Sequence, residues 1–187
     1  MGYQGESLKK YIDDLAAKLP APGGGSAAAF TAAMGVSLLS MVINFTLGKP
    51  KYSRFEEELK TILGKSEKLR EEFLRLVDLD VVAYESKNIR DALDVPFMVC
   101  RLCFEGIKLC LPLITKGNVN LISDVAVAAV LLESAFAAAY FNVEINLKYL
   151  QDEKFARRVR KELDSKKKRV RKIRLETEAK VGKIIRG

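Results

Sequence analysis

Apolar positions along this chain recur at intervals of three and four residues, and no stretch sustains the two-residue alternation of a strand. Leu8, Tyr11, Ile12, Leu15 and Leu19 predict a short amphipathic helix. Ser26 to Leu47 predicts a long uncharged one, with Ser26 at its N-cap. Gly48-Lys49-Pro50-Lys51-Tyr52 breaks it. Ser53 then opens a Glu- and Lys-rich helix whose apolar side holds Phe55, Leu59, Ile62, Leu69, Phe73, Leu76 and Val77, reaching through Asp80 and Tyr84 toward Arg90. Asp94-Val95-Pro96 reopens a helix to about Lys116, kinked by Pro112. After the turn Gly117-Asn118-Val119-Asn120, Ser123 to Leu150 forms a second helix rich in small residues. Asp152 to Arg186 forms the last, with Phe155, Val159, Leu163, Val170, Ile173, Val181 and Ile184 along one side.

The pattern predicts an all-α fold, a bundle of long helices around two buried small-residue helices, as one domain over residues 1–187. Ala27 to Leu47 and Val125 to Val143 are long enough to suggest membrane spans. The first is dominated by Ala, Ser, Thr and Gly and the second is interrupted by Glu133, so two helices in close contact inside a bundle are expected, with no membrane partner.

The net charge of +8 is unevenly distributed. Residues 154–187 carry 15 Lys and Arg against 4 acids, whereas residues 1–153 carry 17 against 20. The basic character is one amphipathic C-terminal helix without interleaved aromatics, which argues against a nucleic-acid partner. Histidine is absent, so acid–base chemistry falls to carboxylates, Lys, Tyr or water. Cys100, Cys103 and Cys110, an odd set behind a polar N-terminus, read as reduced core thiols of a cytoplasmic protein and not as a metal site.

Several motifs carry candidate chemistry. Leu19-Pro20-Ala21-Pro22-Gly23-Gly24-Gly25-Ser26 places a flexible turn at the positive end of a buried helix, suited to an anion or a polar ring. Lys49, Lys51 and Tyr52 stand at the far end of that helix. Asn118 and Asn120 hold a loop, and Ser123 or Asp124 can cap the helix after it. Asn142 and Asn146 share one helix face, and Glu133 lies two to three turns earlier; such groups need partners, and a polar ligand supplies them. Asp78 and Asp80 precede Val81, Val82 and Tyr84, where desolvation raises a carboxyl pKa.

Together these motifs, with Asp80-Val81-Val82-Ala83-Tyr84 and Asn142-Val143-Glu144-Ile145-Asn146, resemble the cyclodeaminase/cyclohydrolase family from about Leu8 to Phe155. That family includes the C-terminal domain of formiminotransferase-cyclodeaminase and the stand-alone methenyltetrahydrofolate cyclohydrolases. The resemblance implies an all-helical homodimer. It implies folate one-carbon chemistry, either loss of ammonia from formiminotetrahydrofolate or hydrolysis of methenyltetrahydrofolate. It also implies a tetrahydrofolate derivative as substrate and no tightly bound cofactor. Carried onto matching positions, it makes Asp80, then Asp124, and Tyr52 the acid–base candidates. Pro22, Gly23, Gly24, Gly25, Ser26, Lys49, Asn118, Asn120, Asn142 and Asn146 become the substrate-binding candidates.

Two positions depart from the family. Only Glu85 to Asp94 separates Tyr84 from Val95-Pro96, where the family carries a longer segment with a Leu-Pro-Lys turn, and Pro50 replaces a basic residue. A shortened segment implies loss of part of a pocket wall. It keeps open a non-catalytic folate-binding or regulatory protein, and behind that a nucleic-acid binder using the C-terminal helix.

Overall fold

The two uncharged segments form the centre of the bundle. A computed structural model describes residues 2–187, which comprise seven α-helices and no strand among the described residues. They are α1 (Leu8–Ala16), α2 (Gly24–Asn44), α3 (Glu56–Glu85), α4 (Ile89–Lys108), α5 (Cys110–Lys116), α6 (Ile122–Leu150) and α7 (Glu153–Arg186). Helices α2 and α6 run antiparallel: Gly24 lies beside Asn142, Gly35 beside Leu132, and Thr46 beside Asn118. Small residues allow this approach. A Cβ on Gly35 would sit 3.0 Å from Leu132 Cγ and 3.3 Å from the Ala128 carbonyl oxygen. Around this pair α3, α4 and α7 complete one apolar cluster from Tyr11 to Val181, rich in fully buried Leu, Val and Ala. Both α2 and α6 have the length and hydropathy of a membrane span, and each buries a face against other helices.

Element boundaries depart from the pattern in four places, each with a local cause. Helix α1 stops at Ala16, and of its apolar row only Tyr11 is buried. Helix α2 starts at Gly24 with Gly23 at the N-cap, so Ser26 is inside the first turn and caps nothing. Ser53 caps nothing either: Pro50–Phe55 is a 3-10 turn in which its hydroxyl donates to the Pro50 carbonyl. Helix α3 ends at Glu85, and Ser86, Lys87 (φ 55°) and Asn88 turn the chain, Asn88 capping α4.

Pro96 therefore lies inside α4 and not at its start. Its ring removes the amide that would bond the Ala92 carbonyl four residues back. That carbonyl instead accepts from Asn146 Nδ2 of α6 at 2.6 Å. Pro112 acts as its sequence suggests. The amide it lacks would bond the Lys108 carbonyl, and the helix breaks at Leu109 into α4 and α5.

Candidate active site

The anion held at the glycine turn is one of the chain's own carboxylates. Asp80, in the last two turns of α3, reaches the first turn of α2 and accepts the Ser26 backbone N–H at 2.8 Å. A helix N-terminus leaves its first amides unpaired, and here a side chain 54 residues away satisfies one of them. The approach depends on Gly25: a Cβ there would stand 2.0 Å from Asp80 Oδ1. A Cβ on Gly24 would meet the Asn142 amide at 3.3 Å, and one on Gly23 would meet no protein atom within 4 Å. Pro22, Gly25 and Ser26 are buried, so the turn offers a ligand only the backbone around Gly23 and Gly24. The Ser26 hydroxyl is paired with Tyr11 Oη at 3.1 Å, behind Asp80. Tyr11 is the one element of this cluster that helical spacing did not single out from its apolar row.

Burial holds the Asp80 carboxyl above its ordinary pKa, and the Ser26 amide partly offsets this. The same end of the molecule contains an apolar cleft of about 550 Å³, walled by Pro20, Ala83, Tyr84, Ile89, Ala92 and Asn146. Ala83 and Tyr84 lie three and four residues beyond Asp80, on its side of α3, and Asn142 and Asn146 are one turn apart on α6. Within the short segment Glu85–Asp94, Glu85, Lys87 and Asn88 line the cleft together with Ile89 and Ala92. Asn142 Nδ2 bonds the Ala138 carbonyl of its own helix, and Asn146 Nδ2 is spent on Ala92. Each keeps its side-chain oxygen as an acceptor.

The remaining candidates gather at the opposite end of α2. Asn118 is buried and fully engaged: its N–H donates to Thr46 Oγ1 (2.8 Å), its Nδ2 to the Phe45 carbonyl (3.2 Å), and its Oδ1 accepts from Asn120 N–H (3.2 Å). The Tyr52 hydroxyl accepts the Val119 N–H at 3.1 Å. Both residues hold the 117–121 loop in place. Neither Ser123 nor Asp124 caps α6, whose N-cap is Leu121. Lys49, Lys51 and Asn120 are exposed and Asp124 is half-buried, with no side-chain bond or ion pair for any of the four among the described residues. Five turns of α6, about 27 Å, separate Asp124 from Asn142. The sequence pooled these residues into one pocket; within one chain they form two clusters.

Other polar groups of the sequence have structural partners. Glu133 faces Arg174 of α7 at 3.9 Å, and Glu144 pairs with Arg160 at 3.1 Å. The three cysteines are buried and unpaired, and burial pushes the Cys110 thiol up to about 12.

The fold and this site define a class: an all-helical protein in which a desolvated carboxylate caps a glycine turn beside an apolar cleft. The formiminotransferase-cyclodeaminase family model matches residues 7–88 and 85–165, and the chain belongs to that family. It is 38% identical to a methenyltetrahydrofolate cyclohydrolase from Methylorubrum extorquens, over 85% of this chain and 88% of that protein. It is 29% identical to a formimidoyltransferase-cyclodeaminase from Rattus norvegicus, of which it spans 34%. The fold superposes on the crystal structure of a formiminotetrahydrofolate cyclodeaminase from Thermotoga maritima with a TM-score of 0.92, at 30% identity, over 97% of this chain and 98% of that one.

Proposed function

We propose that this chain is a folate one-carbon enzyme that hydrolyses methenyltetrahydrofolate to 10-formyltetrahydrofolate, with Asp80 as general base. The observation that carries the reading is the half-buried Asp80 carboxylate, held on the Ser26 amide with its pKa raised, one helical turn before Ala83 and Tyr84 in the wall of a cleft of about 550 Å³. The named relatives supply the reaction class. The cyclohydrolase is preferred over the cyclodeaminase because the more similar relative of matching length carries that name.

The residue chemistry fits the step. The substrate's one-carbon bridge is an amidinium cation, which a nearby carboxylate stabilises. Water adds to the bridge carbon as Asp80 takes its proton. The bond from that carbon to N5 then breaks, N5 receives a proton, and one proton per turnover leaves to solvent. The side-chain oxygens of Asn142 and Asn146 accept from donor edges of the pterin. No resident cofactor takes part; the folate is the substrate. We further propose that the protein works as a cytoplasmic homodimer, a reading supported by three buried free thiols and by the exposed apolar side chains Val127, Val130, Phe141 and Ile145 on α6. Hydrolysis is followed by the loss of methenyltetrahydrofolate absorbance. Turnover faster than buffer, abolished in Asp80→Asn, is the expected result; equal rates for the two proteins would sink the assignment of Asp80.

A further inference from the structure

Asp80 has a neighbour on α3 that is used in the same way. Asp78 Oδ1 accepts the Tyr3 backbone N–H at 2.5 Å, as Asp80 Oδ2 accepts that of Ser26 at 2.8 Å. A glycine precedes each amide. A Cβ on Gly2 would stand 2.3 Å from Asp78 Oδ2, just as one on Gly25 would meet Asp80. Two carboxylates on one stretch of α3 therefore pin two pieces of chain: the N-terminal arm of residues 2–16 and the first turn of α2.

The arm has little else to hold it. Of α1 only Tyr11 is buried, while Leu8, Ile12 and Leu15 are 62, 50 and 36% exposed. The Tyr11 ring meets Tyr3 edge-on with centroids 5.2 Å apart and lies 5.3 Å from the Phe30 ring of α2. Tyr3 is fixed in turn by Asp78 and by Asp14, which accepts its hydroxyl at 3.0 Å. Beyond the ring, the Tyr11 and fully buried Ser26 hydroxyls pair at 3.1 Å. One line of contacts thus runs from Asp78 through Tyr3, Tyr11 and Ser26 to Asp80. A Phe–Ala pair in place of the two hydroxyls would fill nearly the same space at little cost in stability, so what the pair contributes is placement.

We infer that Tyr11 is a positioning residue for the Asp80 carboxylate, acting through Ser26 with the N-terminal arm as its support, a role that rests on Asp80 being the base of the folate reaction. The hydroxyl pair fixes the first turn of α2, and with it the amide that Asp80 accepts. That amide favours the ionised carboxyl, so loosening it while burial persists makes the proton harder to remove. Few other charges bear on Asp80. Helix α2 carries no charged residue, and Asn142 of α6, beside Gly24, is neutral. From α1, Tyr11 is itself the titratable group coupled to Asp80, while the Lys10–Asp14 pair stands at the Tyr3 hydroxyl and Asp78 is turned to the Tyr3 amide.

The test compares wild type, Tyr11→Phe, Ser26→Ala and the double variant by two readouts. One is the pH profile of kcat/KM with methenyltetrahydrofolate; the other is a carbon NMR titration of the Asp80 carboxyl in the free protein, its signal assigned by loss in Asp80→Asn. Each single variant should move both midpoints up by about 0.5 pH unit, roughly a threefold loss of kcat/KM on the acid side of the limb. The double variant should move no further than either single one, because both substitutions cut the same bond. Phe keeps the Tyr11 ring and Ala keeps the Ser26 amide, so the bond is reached from both sides and one well-folded variant suffices. Midpoints that stay in place or move down, with only the plateau lowered, overturn the role, as do shifts that add in the double variant. The titration needs no turnover. If the wild-type chain does not hydrolyse the substrate, the folate reading fails, while an upward titration shift in Tyr11→Phe still supports the placement of Asp80 and an unmoved one overturns it.

Discussion

The glycines of the turn are not equivalent, and their differences separate packing from ligand contact. Gly25 is required by Asp80, since any side chain there collides with the carboxylate. Gly25→Ala is expected to cost about 1–3 kcal/mol in chemical denaturation and to abolish turnover by displacing Asp80. Gly23→Ala meets no protein atom, so its melting temperature should stay at the wild-type value while KM rises if the substrate passes there. Asp80 makes a pH prediction with a definite sign. The folded state holds its proton more tightly than the unfolded chain does, so its contribution to stability falls as pH rises from the ordinary carboxylate range through the raised value. Asp80→Asn keeps an oxygen for the Ser26 amide and carries no charge. It should therefore melt no lower than wild type at neutral pH and lose that slope. As a base, Asp80 must be ionised, so kcat/KM should rise with pH through an apparent pKa above that of an ordinary aspartate. Asp80 and the turn are visible as separate motifs in the sequence. Their contact is not, because no local rule pairs residues 54 positions apart.

Between elements, side chains repair what proline breaks. Asn146 resembles a ligand-binding amide because it sits on an apolar helix, yet its donor is committed to the Ala92 carbonyl that Pro96 leaves unpaired. Asn146→Ala should cost about 1 kcal/mol, the usual net worth of one hydrogen bond, because the half-buried Ala92 carbonyl loses its donor. In a Pro96→Ala background the helix supplies its own amide, and the same substitution should cost clearly less. Equal costs in the two backgrounds, read by urea denaturation, would remove this role from Asn146. Asn118 and Tyr52 suggest chemistry on similar grounds and brace the 117–121 loop instead. Helix periodicity is strong enough to reveal the long helices α2, α6 and α7. Helix α7 starts where the sequence puts it, at the local cap Asp152, but the starts of α2 and α6 are harder to read, because the cap comes from a distant side chain, Asp80 on α2, or is absent, as on α6. The Ser86–Asn88 turn leaves one mark in the sequence, Asn88, an N-cap residue type that accepts the Arg90 N–H, whereas the positive φ of Lys87 leaves none.

At the scale of the whole molecule, the antiparallel α2–α6 pair decides where the chemistry can sit. It holds Asp80, Asn142 and the cleft at one end and Lys49, Asn120 and Asp124 at the other. It also leaves the apolar side chains Val127, Val130, Phe141 and Ile145 of α6 exposed. Composition predicts the buried side of both helices; the exposed side of α6 is hidden in the same run of apolar letters. The central claim is that Asp80 is the base of a folate hydrolase, and its most direct test is the rate of methenyltetrahydrofolate loss against pH for wild type and Asp80→Asn. Wild type should exceed the buffer rate with a limb set by one carboxylate, and the well-folded Asp80→Asn protein should fall to the buffer rate at every pH. A variant that keeps the wild-type rate and limb would contradict the account.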